Sequence, residues 1–396
     1  MLNFDEAFER VQRLAPRLPA EVVTLESAHG RVLAEPLRAP SPLPAFDYSA
    51  MDGYAVRSTS FAGESPFVLP IVGESRTGRP APALGAETAC RIFTGAELPA
   101  GADAVVMQED VVVVDGSARF ERKPLAGDNV RRAGEDLARG AVALAEGTRL
   151  GAYQLGLVAA LDLGEVRVVR RPRVSILGTG DELRKPGGAA RAASIPESNS
   201  VVIAALGRSV GAEVKALSPA ADSLDETRSK IAAALTSSDV LITIGGVSVG
   251  EYDVVRPALE AEGVTLELYK VAMKPGKPPT LGRRGEKVVL GLPGNPVSAQ
   301  VTFALFGLPL LRKMQGDRFV RGEPRAVRLG APLRQKPGRR GFYAATLDGN
   351  VITPFASQAS GSTVNLAHAD ALVIVPEDSS GYAAGELVNA LVLSEL

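Results

Sequence analysis

The sequence predicts a multidomain α/β protein: a central, doubly wound, mostly parallel sheet, with β-rich N-terminal domains before it and a small C-terminal β-barrel after it. Three observations predict this. From about Arg173 to Gln315, apolar strands alternate with helices, as in a sheet whose crossovers cover both faces. From Ala39 to Gly147 the chain is rich in Pro and Gly and carries only short β-type runs, and beyond Gly316-Asp317 short strands and turns return. At 396 residues the chain exceeds one ordinary core, because domains usually run to about 100 to 200 residues. The divisions expected are a helical linker domain from 1–45 with 140–172, a small β-rich domain over 46–139, the α/β domain over 173–320 and the barrel over 321–396.

The first helix is marked by Phe4, Ala7, Phe8, Val11 and Leu14 on one stripe, and Pro16 and Pro19 end it. The β-rich segment offers Phe67-Val72, Ala104-Met107 and Val111-Val114 as strands. The pattern then changes after Pro172. Val174-Leu177 reads as a strand, Ser200 to Val210 as a helix and Val214-Leu217 as the next strand. Another helix is announced by Asp222 and by Ser223 with Glu226 three residues on, a capping-box spacing. Val240-Ile244 is a buried strand that ends in Gly245-Gly246. Leu266-Val271 and Val288-Leu290 flank a Lys- and Pro-rich loop, and a helix runs from Pro296 to about Leu311. In the last region Phe342-Leu347, Val351-Thr353 and Leu372-Val375 are the clearest strands.

Composition narrows the chemistry. Lys plus Arg (44) balances Asp plus Glu (45), so the overall charge points to neither a nucleic-acid nor a membrane surface. Cys90 is the only cysteine, which excludes an intramolecular disulfide framework and a thiolate metal cluster within one chain. The N-terminus has no apolar signal core, and no stretch approaches 18 uninterrupted apolar residues, so a cytoplasmic protein is expected. With only His29 and His368, a histidine triad or multi-histidine metal site is almost excluded. Carboxylates, lysines, hydroxyls and backbone amides must carry the chemistry.

In a doubly wound sheet, ligands sit beyond the carboxyl ends of the strands. Three loops there are unusual: Gly178-Thr179-Gly180-Asp181-Glu182-Leu183, the run GGVSVGEYD from Gly245, and Gly291-Leu292-Pro293-Gly294-Asn295-Pro296. Gly245, Gly246 and Gly250 let the backbone approach a ligand, Ser248 adds a hydroxyl, and a helix beginning near Asp253 offers free N–H groups to an anion. Asn295-Pro296 reads as an N-cap followed by proline at the first helical position, with Ser298 in the first turn. Lys270, Lys274 and Lys277 lie on a strand end and a proline-stiffened loop, a preorganised oxyanion site as readily as a solvated face. Asp181, Glu182, Glu251 and Asp253 sit among these anion-favouring groups. A cation such as Mg²⁺ would reconcile them with a phosphate, although helix-dipole pairing also accounts for them.

Taken in order, SAMDGYAV, RIFTGA, RRAGEDL, GTGDEL, GGVSVGEYD, KPGKP and GLPGNPVS resemble the molybdopterin molybdotransferases, the MoeA and gephyrin E-domain family, and the likeness runs along essentially the whole chain. The resemblance implies a central molybdopterin-binding fold and an enzyme that inserts molybdenum from molybdate into adenylylated molybdopterin, releasing AMP with the help of Mg²⁺. It implies a homodimer in which one subunit's N-terminal β domain faces the other's central domain, and a transient contact with the molybdopterin adenylyltransferase. On the matching positions, Asp253 and Glu182 would hold Mg²⁺ and act in adenylate cleavage, with Asp52 and Asp136 as further catalytic acids. Thr94, Thr179, Gly180, Asp181, Asn199, Lys270, Pro293, Asn295 and Pro296 would join the glycine turn in holding the pterin nucleotide. Lys274, Lys277, Ser298 and Ser360 would hold molybdate.

The chain departs from the family pattern at three places. The family usually carries an arginine two residues past the phenylalanine, where this chain has Ala344 after Phe342-Tyr343; Arg339 or Arg340 is the available substitute. Glu197-Ser198-Asn199 replaces the usual Asp-Ser-Asn or Asp-Thr-Asn, a one-methylene extension at a helix start. Ile244 stands where a Ser or Thr often precedes the two glycines. Two other readings compete with this one. A nucleotide pyrophosphatase resembling the competence-damage proteins explains GGVSVGEYD but neither MDGYAV nor the barrel, and a non-catalytic pterin carrier leaves the retained carboxylates unexplained.

Overall fold

The computed structural model describes residues 1–246, 254–268, 270–276 and 280–396. Its central sheet has six strands in the order Glu213–Ala216, Arg173–Gly178, Val240–Ile244, Lys287–Leu292, Thr280–Arg284, Thr265–Leu268. The first three pairings are parallel and the last two antiparallel. Thr280–Arg284 is an additional strand inside what the sequence marks as loop, and the expected strand over Leu266-Val271 is shorter, Thr265–Leu268. Both form hairpin-like pairings, so one flank of the sheet runs antiparallel.

Both faces of the three inner parallel strands, Arg173–Gly178, Val240–Ile244 and Lys287–Leu292, are buried, which is why they read as nearly continuous apolar runs. Side chains alternate between faces along each strand. Val174, Ile176, Val240, Ile242, Val288 and Leu290 pack towards Ile203, Phe303 and Leu311, whereas Leu177, Leu241 and Val289 pack towards Ile231, Leu235 and Leu259. On the first face lie the Asn199–Ser209 helix and a long helical run made of Pro296–Thr302, a π-helical segment at Phe303–Gly307, and Leu308–Met314. The single helix expected over Pro296 to Leu311 is therefore interrupted by a wide turn. On the second face lie Leu224–Ser237 and Val255–Ala261.

Ser223 does occupy the N-cap position of the Leu224–Ser237 helix, but its side chain makes no capping bond. Glu226 turns instead to Lys230 one helical turn on, at 2.7 Å, so the capping box is not formed. The box does form at the N-terminus. Asn3 Oδ1 accepts from the Glu6 N–H at 2.8 Å, the Asn3 N–H donates to Glu6 Oε2 at 3.2 Å, and the Phe4–Leu14 helix follows, burying Phe4, Ala7 and Val11.

Downstream, Arg340–Asp348, Val351–Pro354, Arg325–Leu329, Leu387–Val392 and Ala371–Val375 pair in that order, and the last pairs back with the first, closing a five-stranded barrel. Phe342, Leu372 and Leu391 of this barrel share the first-face core with Phe4 and Val11, which packs the barrel and the N-terminal helix against the central sheet. Upstream, a second six-stranded sheet runs Ala104–Met107, Gly53–Val56, Ala89–Ile92, Phe67–Ser75, Ser117–Phe120, Val111–Val114 around its own cores. Between it and the α/β region, Ala20–Thr24 pairs with Glu165–Val169. Among the described residues no helix is long and apolar enough to cross a membrane.

Candidate functional site

The chain leaves the Arg173–Gly178 strand towards one edge of the sheet and returns to Val240–Ile244 on the other side of it, so the strand order reverses between these two. A crevice forms at such a point, because consecutive connections diverge to opposite faces. Thr179 and Gly245 meet there. The Thr179 N–H donates to the Ile244 carbonyl at 3.0 Å, and its hydroxyl lies 3.3 Å from the same oxygen. Gly245 and Gly246 have φ of +87° and +58°, a conformation that costs glycine nothing and side chains considerably more. A methyl group at Gly246 would also collide with Val255 Cγ2, and one at Gly245 would lie 3.0 Å from the Thr179 carbonyl.

The crevice widens into a cleft of about 710 Å³ between the sheet's carboxyl end and the barrel. Thr179, Glu182, Asn199, Gly245, Gly246, Pro293, Asn295 and Pro296 line its part at the strand ends, and Lys274, Ser298, Arg339 and Ser360 line the part against the barrel. These are twelve of the positions singled out by sequence. Ser248, Gly250, Asp253 and Lys277 lie outside the described residues, as does Glu251.

Local bonding explains how these loops hold their shape. Asn199 Nδ2 donates to the Gly294 carbonyl at 2.9 Å and ties the start of its helix to the GLPGNPVS turn. Asn199 is 8% exposed, and its Oδ1 has no partner among the described residues. Glu197, longer by a methylene than the family's aspartate, is buried, and its Oε1 accepts from the Ser200 N–H at 2.9 Å, so it caps the helix itself. Asn295 occupies the N-cap position with Pro296 at the first helical residue, but no side-chain capping bond forms. The Ser360 carbonyl accepts from the Val297 N–H at 3.0 Å, so the barrel loop is stitched to the same helix start that presents Ser298.

The barrel end of the cleft is cationic. Lys274 Nζ lies 5.6 Å above the ring of Tyr343, a cation–π contact that keeps an ammonium group in place without neutralising it. The Tyr343 hydroxyl donates to Gln335 Oε1 at 3.1 Å, and burial pushes its pKa up, so it stays a neutral donor. At the position where the family carries arginine, Gln358 brackets the backbone: its Oε1 accepts from the Ala344 N–H at 3.1 Å and its Nε2 donates to the Ala344 carbonyl at 2.9 Å. Of the two candidate replacements, only Arg339 lines the cleft. Arg340 is committed to Asp5 at 2.8 Å and Glu377 at 3.1 Å.

Other expected residues do not reach this cleft within one chain. Gly180 (φ +140°) has the Glu182 carboxylate folded over it, and the Asp181 carboxylate turns away to accept from the Asp222 N–H at 3.1 Å. Lys270 is exposed beside the N-terminus, its carbonyl accepting from the Leu2 N–H. Asp52 and Thr94 form a unit of their own. Asp52 Oδ1 accepts from the Thr94 N–H at 2.7 Å and hydroxyl at 2.8 Å, bonds that hold its pKa below the ordinary carboxylate value. Asp136 pairs with Arg131 at 2.6 Å. Sequence reasoning passed over Tyr343 and Gln358 as site residues. Tyr343 had no periodic signal to separate it from a barrel core position, and Gln358 was visible only as a neighbour of Ser360.

A cleft at the strand-order reversal of a doubly wound domain, with a glycine turn at one end and cationic side chains at the other, is where proteins of this α/β class bind their ligands. The relatives of this chain agree. Residues 2–161 match the family described as MoeA N-terminal region (domain I and II), 175–313 the probable molybdopterin binding domain, and 326–393 the MoeA C-terminal region (domain IV). The molybdopterin molybdenumtransferase of Haemophilus influenzae is 35% identical over 98% of both chains, and molybdopterin molybdenumtransferase 2 of Mycobacterium tuberculosis is 39% identical over 92% of both. The crystal structure of the molybdopterin biosynthesis MoeA protein from Pyrococcus horikosii superimposes with a TM-score of 0.88 at 30% identity, covering 99% of each chain. The chain belongs to the MoeA family of molybdopterin molybdenumtransferases.

Proposed function

We propose that this chain inserts molybdenum from molybdate into adenylylated molybdopterin and releases AMP, a step of molybdenum cofactor biosynthesis. The observation that carries the reading is the two-ended cleft, in which Thr179, Gly245 and Gly246 lie opposite Lys274, Ser298, Arg339 and Ser360. The two substrates are both anions. Each needs its own set of donors, and a single cleft that holds them side by side converts a bimolecular encounter into a positioned one. The glycine turn would hold the pterin phosphate with Ser248 and Gly250, and Asn199, Pro293, Asn295 and Pro296 would shape the pterin end. Lys274, Lys277, Arg339, Ser298 and Ser360 would hold the tetrahedral oxyanion against the dithiolene.

The residues present suit magnesium in one respect. The Glu182 carboxylate lies exposed at the cleft, with no cation paired to it among the described residues. Magnesium typically takes one or two carboxylates, with substrate phosphates and water completing its shell. Glu182 and Asp253 would hold it, and when bound it would offset the negative charge of the adenylate phosphates. Asp52, Thr94 and Asp136 enter the reading through a homodimer, in which they would close the partner subunit's cleft. Transfer of the adenylylated pterin from its adenylyltransferase, in the cytoplasm, completes the proposed setting. A pyrophosphatase built on the central domain alone is disfavoured, since family matches also cover residues 2–161 and 326–393.

The test is direct. Purified protein supplied with adenylylated molybdopterin, molybdate and Mg²⁺ should release AMP, measured by chromatography, in proportion to added molybdate. AMP release independent of molybdate, or none at all, would sink the reading.

A further inference from the structure

The N-terminus reaches the oxyanion end of the cleft from behind. Leu2 bridges to Val271: its N–H donates to the Lys270 carbonyl at 3.1 Å, and its own carbonyl accepts from the Ala272 N–H at 2.8 Å. The Ala272 carbonyl in turn accepts from the Arg340 N–H at 2.9 Å, and Met273–Lys274 pairs in parallel with Arg340 and Gly341. Leu2, the 270–274 segment and the start of the Arg340–Asp348 strand are thus three rungs of one backbone ladder. Its far end carries Lys274 and Arg339 into the cleft.

Side chains lock what the ladder begins. Asp5 grips Arg340 with both oxygens, 2.9 Å to Nη1 and 2.8 Å to Nη2, the two-pronged geometry that makes carboxylate–guanidinium pairs directional. Glu377 holds Arg340 Nε at 3.1 Å. The Arg340 guanidinium also lies 5.2 Å over the ring of Phe4, which packs 5.1 Å from Phe342. Arg340, the first residue of its strand, is thereby held on the helix side, whereas Arg339, in the bend just before it, lines the cleft, where its charge is felt by the Tyr343 hydroxyl beneath Lys274.

Resting on the functional reading above, we propose that Asp5 is a positioning residue for the oxyanion end of the cleft: through Arg340 it fixes the strand edge that presents Arg339 and Lys274. Asp5 itself does not line the cleft. An ion pair with one exposed member contributes little to global stability, so its effect falls on the cleft rather than on the fold. Among the described residues, no comparable tie from the Phe4–Leu14 helix reaches the glycine turn, so the pterin end is independent of Asp5.

The experiment uses the full chain with Asp5→Asn, Asp5→Glu, Arg339→Gln and the Asp5→Asn/Arg339→Gln double variant. It measures the KM for molybdate, the KM for adenylylated molybdopterin, kcat and Tm, together with calorimetric binding of molybdate alone. Asp5→Asn should raise the molybdate KM about tenfold, the scale of one charge-assisted interaction. The pterin KM and kcat should stay within about twofold of the unmodified chain. Asp5→Glu should recover most of the loss, and the double variant should be little worse than Arg339→Gln alone, because residues acting through one another are not additive. An unchanged molybdate KM in Asp5→Asn overturns the proposal, as does a parallel rise of both KM values with a fall in Tm. If the unmodified chain releases no AMP, the functional reading fails instead. Calorimetry then still decides the role of Asp5, by whether Asp5→Asn weakens molybdate binding.

Discussion

Arg339 and Arg340 are adjacent and chemically identical, yet the structure gives them different work. Arg340 has two carboxylate partners and an aromatic ring beneath it, while Arg339 lines the cleft. Replacing Arg339 with Gln should therefore remove one guanidinium from the oxyanion end. A hydrogen bond to a charged group is worth about 1.5–3 kcal/mol, so the molybdate KM should rise roughly 10- to 100-fold, with the pterin KM nearly unchanged. Steady-state kinetics with each substrate varied in turn would check this. At the same scale Asn199 is held by one end only. Its Nδ2 is spoken for by Gly294, which fixes the orientation of the amide and leaves Oδ1 as an acceptor without a partner among the described residues.

At the scale of elements, the central sheet depends on how the linker enters it. Asp239, just before the Val240–Ile244 strand, accepts from Arg170 Nη1 at 2.9 Å, Arg170 Nη2 at 3.0 Å and the Arg173 N–H at 2.8 Å. It joins the chain leaving the N-terminal region to two central strands. Burial works to raise its pKa, but the Arg170 and Arg173 bonds outweigh burial and hold it below the ordinary carboxylate value. The contribution of a carboxyl lowered in the folded state is present above its unfolded pKa of about 3.9 and is lost as pH falls through the folded value. Asp239→Asn should destabilise the protein by about 1.5–3 kcal/mol at pH 7, read as a lower melting temperature. The gap to the unmodified chain should narrow below about pH 4. A constant gap down to pH 3 would show that the ion pair does not carry the effect.

For the whole molecule, the placement of Asp52, Thr94 and Asp136 away from the cleft makes an assembly prediction. If a second subunit brings them to the cleft, sedimentation should show a dimer at the concentrations used for assay. Mixed dimers offer a sharper measurement. An Asp52→Asn chain combined with an Arg339→Gln chain should regain roughly half of the unmodified activity per mixed dimer, since one of its two clefts is intact by symmetry. A mixture no more active than its components would place both residues in one subunit's cleft.

Much of this was legible in the sequence because it depends on local periodicity and backbone chemistry. The buried run Val240-Ile244 had to be a strand, Gly245-Gly246 had to turn where side chains cannot, and Pro296 had to open a helix. Motif order along the chain carried the family, since seven matching turns in sequence leave little room for another fold. What remained belongs to distance in space. The Thr280–Arg284 strand exists only because neighbours on both sides offer it hydrogen-bond partners. Glu226 chose Lys230 over Ser223 through side-chain geometry. The choice between Arg339 and Arg340 was made by Asp5, 335 residues away in sequence, because an ion pair is set by where side chains meet in three dimensions.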